Sequence, residues 1–185
     1  SQVKDANPLW GKYNDDYCYS GGTSMAAPLA AGAAVVTRQY LREQKGQANP
    51  SAALVKAVLM HTSRDLYPGQ FGEVGKSKGQ ELLSSGPNFD QGFGRIDVDK
   101  LTQGDYQVFD FQRGLQQGQE IKIDVPTIGF NKLQYTVVYT DQPGSASASK
   151  ALVNDLSVHW QSNLGTTGGS NDRINNFEQD IVDVT

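Results

Sequence analysis

The 185-residue chain is long enough for one ordinary domain or two small ones, and 37% hydrophobic with 19% charged residues suits a packed core. Its net charge of −4 argues against nucleic acid or an anionic membrane as the main partner, since both want clustered Lys and Arg. Cys18 is the single cysteine, which excludes an internal disulfide and a zinc site built on thiolates, and no apolar run is long enough to span a membrane.

The opening stretch, SQVKDANPLW, has no apolar core of the kind a secretory signal carries. DDYCYS follows and reads as a strand leading to residues 20–24, with Cys18 expected as a buried structural thiol. Residues 23–45 read as a helix. Met25, Leu29, Ala33, Val36 and Tyr40 recur at helical spacing, Thr23 or Ser24 can cap the start, and Gly46 ends it. Gly32 suits close contact with a neighbouring element. Pro28 offers no N–H to the carbonyl of Ser24, so the first turn is expected to be loosened beside the serine.

A second helix is expected from Pro50 or Ser51 to about Ser63, capped by Asn49-Pro50, with Leu54, Val58 and Leu59 as its apolar stripe. His61 falls at its end, where a histidine complements the helix dipole. Residues 67–91 are rich in Gly, Ser, Lys and Pro and read as an exposed loop. Within it GQFGEVGKS is no phosphate loop, because the glycine required five residues before Gly75 is Gln70. QGFGRIDVDKL then brings a short strand and a turn.

After about residue 104 the period changes to two. Ile121, Ile123 and Val125 alternate with Lys122 and Asp124; Leu133, Tyr135, Val137 and Tyr139 alternate likewise, as do Leu156, Val158 and Trp160. Turn residues separate these runs, the signature of an antiparallel sandwich. His159 falls between Val158 and Trp160, on the outer face. NNFEQDIVDVT stops in mid-strand, and both ends of the chain read as interrupted.

The residues that carry chemistry are in Gly22-Thr23-Ser24-Met25-Ala26-Ala27-Pro28. A serine at a helix N-terminus turns its own N–H toward a reacting carbonyl, where the dipole favours developing negative charge. Gly21 and Gly22 let a peptide approach the backbone. A tight turn with a plain N-cap would explain an isolated G-T-S. The whole stretch resembles the active-site serine motif of the subtilisin-like serine proteases, G-T-S-M-A-x-P, at every fixed position. QGFGRIDVDKL resembles the end of that family's catalytic domain, and VVYTDQPGSASASKALVNDL resembles the β-sandwich following it in larger secreted members.

The resemblance implies an α/β subtilisin-like catalytic-domain remnant over 1–104, joined to a jelly-roll-like antiparallel β-sandwich over 105–185, incomplete at both ends. It implies the C-terminal portion of a secreted serine endopeptidase, with Ser24 as nucleophile and its N–H as half of the oxyanion hole. Tyr19, Ser20, Gly21, Gly22 and Thr23 would border the cleft, and Met25 would pack behind the serine. Substrates would be proteins or peptides. The family's triad runs Asp, His, Ser, with an oxyanion asparagine also before the serine. Only 23 residues precede Ser24, and none is His. The N-terminal part of the catalytic domain is therefore an expected partner, and this chain alone is expected to be inactive.

Three further readings stand beside this one. Ser24, Asp155 and His159 follow the chain order of an α/β-hydrolase, but position 26 is Ala where that fold needs glycine, and the intervening pattern is strand only. Calcium is implied as a structural cofactor by the family; Asp141, Asn154, Asp155, Asn171 and Asp172 could supply oxygens, though such residues in turns usually bind local backbone. The contrasting functional class is a non-catalytic β-sandwich, a pseudoprotease scaffold or binding module.

Overall fold

The computed structural model describes residues 11–69, 82–127, 129–150, 152–163, 165–170 and 176–183. Helix α1 spans Thr23–Gln44 and α2 spans Ala52–His61; a single helical turn, α3, covers Lys100–Gln103. Strands β1 (Lys132–Val138), β2 (Val158–Gln161), β3 (Thr167–Ser170) and β4 (Phe177–Asp183) follow.

α1 runs unbroken through Pro28, so the expected loosening does not interrupt the helix. It ends before Gly46, whose reversal lets Gln47 N–H donate to the Leu41 carbonyl (3.0 Å). It starts at Thr23 as expected, but the cap differs: the cap position is Gly22, and neither Thr23 nor Ser24 caps with its side chain. α2 is capped by Ser51 rather than Asn49-Pro50. Ser51 Oγ accepts the Leu54 N–H (3.1 Å), while Ser51 donates its own N–H and hydroxyl to Asp110 (2.8 Å each). The segment after α3 thus reaches back to hold the start of α2.

The core sits between the helices. Leu41, Leu54, Val58 and Leu101 are buried together, with Tyr40, Val55, Tyr106 and Val108 packed against them. Arg64 and Arg95 exchange backbone hydrogen bonds (2.8 and 2.9 Å), which is all that remains of the strand expected in QGFGRIDVDKL. Gly94 makes this approach possible: at φ +97° a Cβ there would lie 2.2 Å from the Arg64 carbonyl oxygen.

Beyond α3 the strands are antiparallel, as the alternation predicts, but they form two separate two-stranded sheets among the described residues, β1–β4 and β2–β3. Residues 121–125 form no strand, and Ile121, Ile123 and Val125 stay exposed. Alternation marks two faces, but a strand needs a neighbour to complete its ladder. In β1–β4, Thr136 stands opposite Gln179 and Val138 opposite Phe177, so these four share the face that rests on α2. Tyr135, Val137 and buried Val182 belong to the other face.

From residue 23 to 36, α1 lies largely uncovered among the described residues. Met25 (43%), Leu29 (75%), Val35 (67%) and Val36 are exposed, and a Cβ at Gly32 would meet nothing within 4 Å. The close contact expected at Gly32 is absent among the described residues, because no element packs on that face. Between α1, α2 and residues 93–96 lies an apolar groove of about 620 Å³, with Val35, Leu59 and Ile96 in its wall and Arg38 and Lys56 also lining it.

Candidate active site

The chain enters α1 from a tight hairpin. Lys12 and Cys18 pair across it, Tyr13 N–H donates to Tyr17 O (3.0 Å), and Asn14 Oδ1 accepts the N–H groups of Asp16 (2.9 Å) and Tyr17 (2.8 Å). Tyr13 and Tyr19 meet edge to face at 5.5 Å, both exposed. Cys18 is exposed rather than buried, because nothing among the described residues covers the hairpin.

From Tyr19 the backbone reaches Gly22 at φ 133°, ψ 178°, a conformation open in practice to glycine alone. Gly22 O then accepts the N–H of both Met25 and Ala26 (3.1 Å each). The N–H groups of Thr23 and Ser24 take no partner among the described residues, leaving two donors at the positive end of a 22-residue helix. The Ser24 side chain is exposed and unbonded among those residues. Tyr19, Ser20, Gly22 and Thr23 are exposed as well, and Gly21 is half-buried, so the stretch borders open space. Met25, the next residue, is exposed.

Neither histidine meets Ser24. His61 ends α2 half-buried, its Nδ1 3.1 Å from Thr136 Oγ1 and its ring 5.8 Å from that of Tyr106. Burial, with a smaller contribution from the nearby Lys100 cation, pushes its pKa down. It stands in the last turn of α2, as expected, with its ring against the hairpin and its charged form disfavoured. His159 is exposed on β2 opposite Gly169, on the outer face as the alternation predicts. Asp155 pairs with Lys150 (3.1 Å), so Ser24, Asp155 and His159 are not brought into hydrogen bonding.

Of the residues considered for calcium, Asp141 accepts the N–H groups of Val153 (2.7 Å), Asn154 (3.1 Å) and Gln142 (2.9 Å) and the Asn154 side-chain amide (2.8 Å). Among the described residues no group of three His, Cys, Asp or Glu side chains is gathered to hold a metal; Asn171 and Asp172 lie outside them.

Sequence reading missed the Asp65 anchor. Desolvation raises its pKa, but hydrogen bonds from the Ser85 hydroxyl, Tyr67 N–H, Gln91 amide and Gly86 N–H outweigh that and hold it at about 2. Its partners lie up to 26 residues away, and Asp-Leu-Tyr-Pro signals only a local turn.

Residues 8–94 match the family model described as the Subtilase family. The chain is also similar to the serine protease/ABC transporter B family protein tagA of Dictyostelium discoideum, 29% identical over 156 residues. That similarity covers 74% of this chain and 8% of the relative, so the chain spans under a tenth of the relative's length.

Proposed function

We propose that the chain, which matches the Subtilase family model over residues 8–94, is the C-terminal portion of a secreted subtilisin-like endopeptidase acting through an acyl-enzyme on Ser24. The observation that carries the reading is the start of α1: an exposed serine hydroxyl, two residues past a glycine-only backbone, beside two N–H donors with no partner among the described residues.

In this mechanism Ser24 Oγ attacks the carbonyl carbon of a peptide while a base takes its proton. The carbonyl oxygen becomes an oxyanion, which the Ser24 N–H stabilises at the positive end of α1. Collapse breaks the C–N bond, the base returns the proton to the departing amine, and water releases the acyl group by the reverse sequence. Tyr19 to Thr23 border the peptide. The base, the carboxylate orienting it and the side-chain oxyanion donor come from the rest of the catalytic domain.

The exposed apolar half of α1 supports such a partner. A helix apolar on most of its faces belongs in a core, and each large side chain left in water forfeits about 1.5–3 kcal/mol of burial. Covering Leu29, Val35 and Val36 would repay that, and the same cover would bring the base to Ser24. Residues 1–104 are then the end of the catalytic domain, and 105–185 part of an antiparallel sandwich. Secretion rests on the family resemblance.

In the parent enzyme, Ser24→Ala should abolish peptide hydrolysis, since removing a catalytic serine lowers kcat by about a millionfold. The 185-residue chain alone should not hydrolyse the same peptide, because neither histidine reaches Ser24. Undiminished activity in the Ser24→Ala enzyme would end the assignment.

A further inference from the structure

The end of α2 meets the β1–β4 hairpin through one connected polar seam. Gln179 Nε2 donates to the Met60 carbonyl (3.4 Å) and to Thr136 Oγ1 (2.9 Å), and Thr136 Oγ1 lies 3.1 Å from His61 Nδ1. The Met60 carbonyl can only accept, so the nitrogen end of Gln179 faces it. The same NH2 group supplies Thr136 Oγ1. The Thr136 hydroxyl keeps its one hydrogen, which it can donate to His61 Nδ1 when that nitrogen is bare. In that arrangement His61 is neutral, with its proton on Nε2.

The surroundings favour that state. Lys100, on α3, donates to Ser63 O (3.0 Å) and disfavours a second cation at His61. Tyr106 presents its ring, and its hydroxyl, raised to about 12 chiefly by burial, donates to Leu101 O and stays neutral. Lys45, at the end of α1, lies over that ring at 4.3 Å. On α2, Lys56 lies 4.7 Å over the Phe177 ring. The hairpin face carrying Thr136 and Gln179 holds no ionisable side chain except Lys132 and Asp183 at its far end; Glu178 belongs to the opposite face, where it accepts the Tyr135 hydroxyl. Among the described residues no carboxylate pairs with His61. The rest of the joint is aromatic, Phe93 against Phe177 at 5.4 Å.

We propose that His61 is a proton-operated latch: neutral, it holds the β1–β4 hairpin on α2, and protonated, it releases it. A proton on Nδ1 turns the acceptor into a donor. Thr136 Oγ1 then receives two N–H groups, its own hydrogen loses its acceptor in the seam, and a positive charge is half-buried beside Lys100. The sign follows from linkage. The docked ring binds a proton less readily than a free one, whose pKa is 6.5. Docking is therefore at full strength above 6.5 and weakens as pH falls toward the lower docked value, by about tenfold per pH unit inside that window. The latch does not rest on the role given to Ser24.

Amide hydrogen exchange on the full chain tests it, at about pH 7.5 and about pH 5, corrected for intrinsic rates. In the wild type, β1 and β4 amides should lose more protection at the lower pH than amides in the second half of α1, by about tenfold for each pH unit between 6.5 and the docked pKa. In His61→Gln that extra loss should vanish. An equal extra loss in His61→Gln, or none in the wild type, overturns the proposal. Should His61→Gln fail to fold, nitrogen chemical shifts and a proton titration of wild-type His61 decide. A bare Nδ1 and a pKa below 6.5 shared with the Thr136 methyl support the latch; a bare Nε2 or a pKa at or above 6.5 refutes it.

Discussion

Replacing Gly22 by Ala isolates the backbone device that aims the serine. Gly22 sits at φ 133°, ψ 178°, and a Cβ there would meet no atom within 4 Å. There is no clash to relieve, so the penalty is conformational alone, about 1–3 kcal/mol for a non-glycine residue in this region. The shorter menu of unfolded conformations returns about 0.4–1 kcal/mol. Stability should therefore fall by about 1–2 kcal/mol. If the residue instead relaxes to negative φ, Gly22 O leaves the N–H groups of Met25 and Ala26, and the start of α1 shifts. A displacement near 1 Å at a nucleophile costs about a hundredfold in rate. In the parent enzyme, kcat/KM for a peptide should fall about 10–100-fold while the melting temperature drops by only a few degrees. Wild-type kcat/KM together with wild-type stability would show that the positive φ aims nothing.

Gly32→Ala should stabilise this chain by about 0.5–1 kcal/mol in denaturant melts, since the site is open, yet lose or reverse that gain in the parent enzyme where α1 is covered; equal gains in both would contradict the proposed cover. Leu41→Ala removes the centre of a four-residue buried cluster and should cost about 2–5 kcal/mol in thermal or urea melts followed by circular dichroism; a cost under about 1 kcal/mol would mean the helices do not share that core. The stability that Asp65 contributes should be present above pH 3.8 and decline as pH falls toward 2, because its folded pKa lies below the unfolded one. Asp65→Asn should remove that part of the acid dependence and raise hydrogen exchange at Leu66, Tyr67 and Gly86; an unchanged acid profile would show the anchor is idle.

Much of the helical part was legible because its signals are local. The apolar spacing from Met25 to Tyr40 and the stop at Gly46 place α1 within a residue of its observed end. Its start at Thr23 was legible too, but the cap was not, because neither Thr23 nor Ser24 makes a side-chain cap after Gly22. The strand around Leu133–Tyr139 was readable and the one around Ile121–Val125 was not, since alternation exists in both but only the first finds a partner. The place of Ser24 in the first turn of α1 was legible from its motif. The helix-end position of His61 was legible but its contact was not, since its bond to Thr136 spans 75 residues and that of Gln179 to Met60 spans 119. Contacts of that reach depend on packing, which no short window encodes.

Covalent capture of the nucleophile tests the central claim most directly. The parent enzyme is treated with a fluorophosphonate, digested, and its peptides mapped by mass spectrometry. A single adduct on Ser24, absent after Ser24→Ala and after denaturation before labelling, is the expected result. An adduct on another residue, or an active enzyme whose Ser24 stays unmodified, would contradict the account.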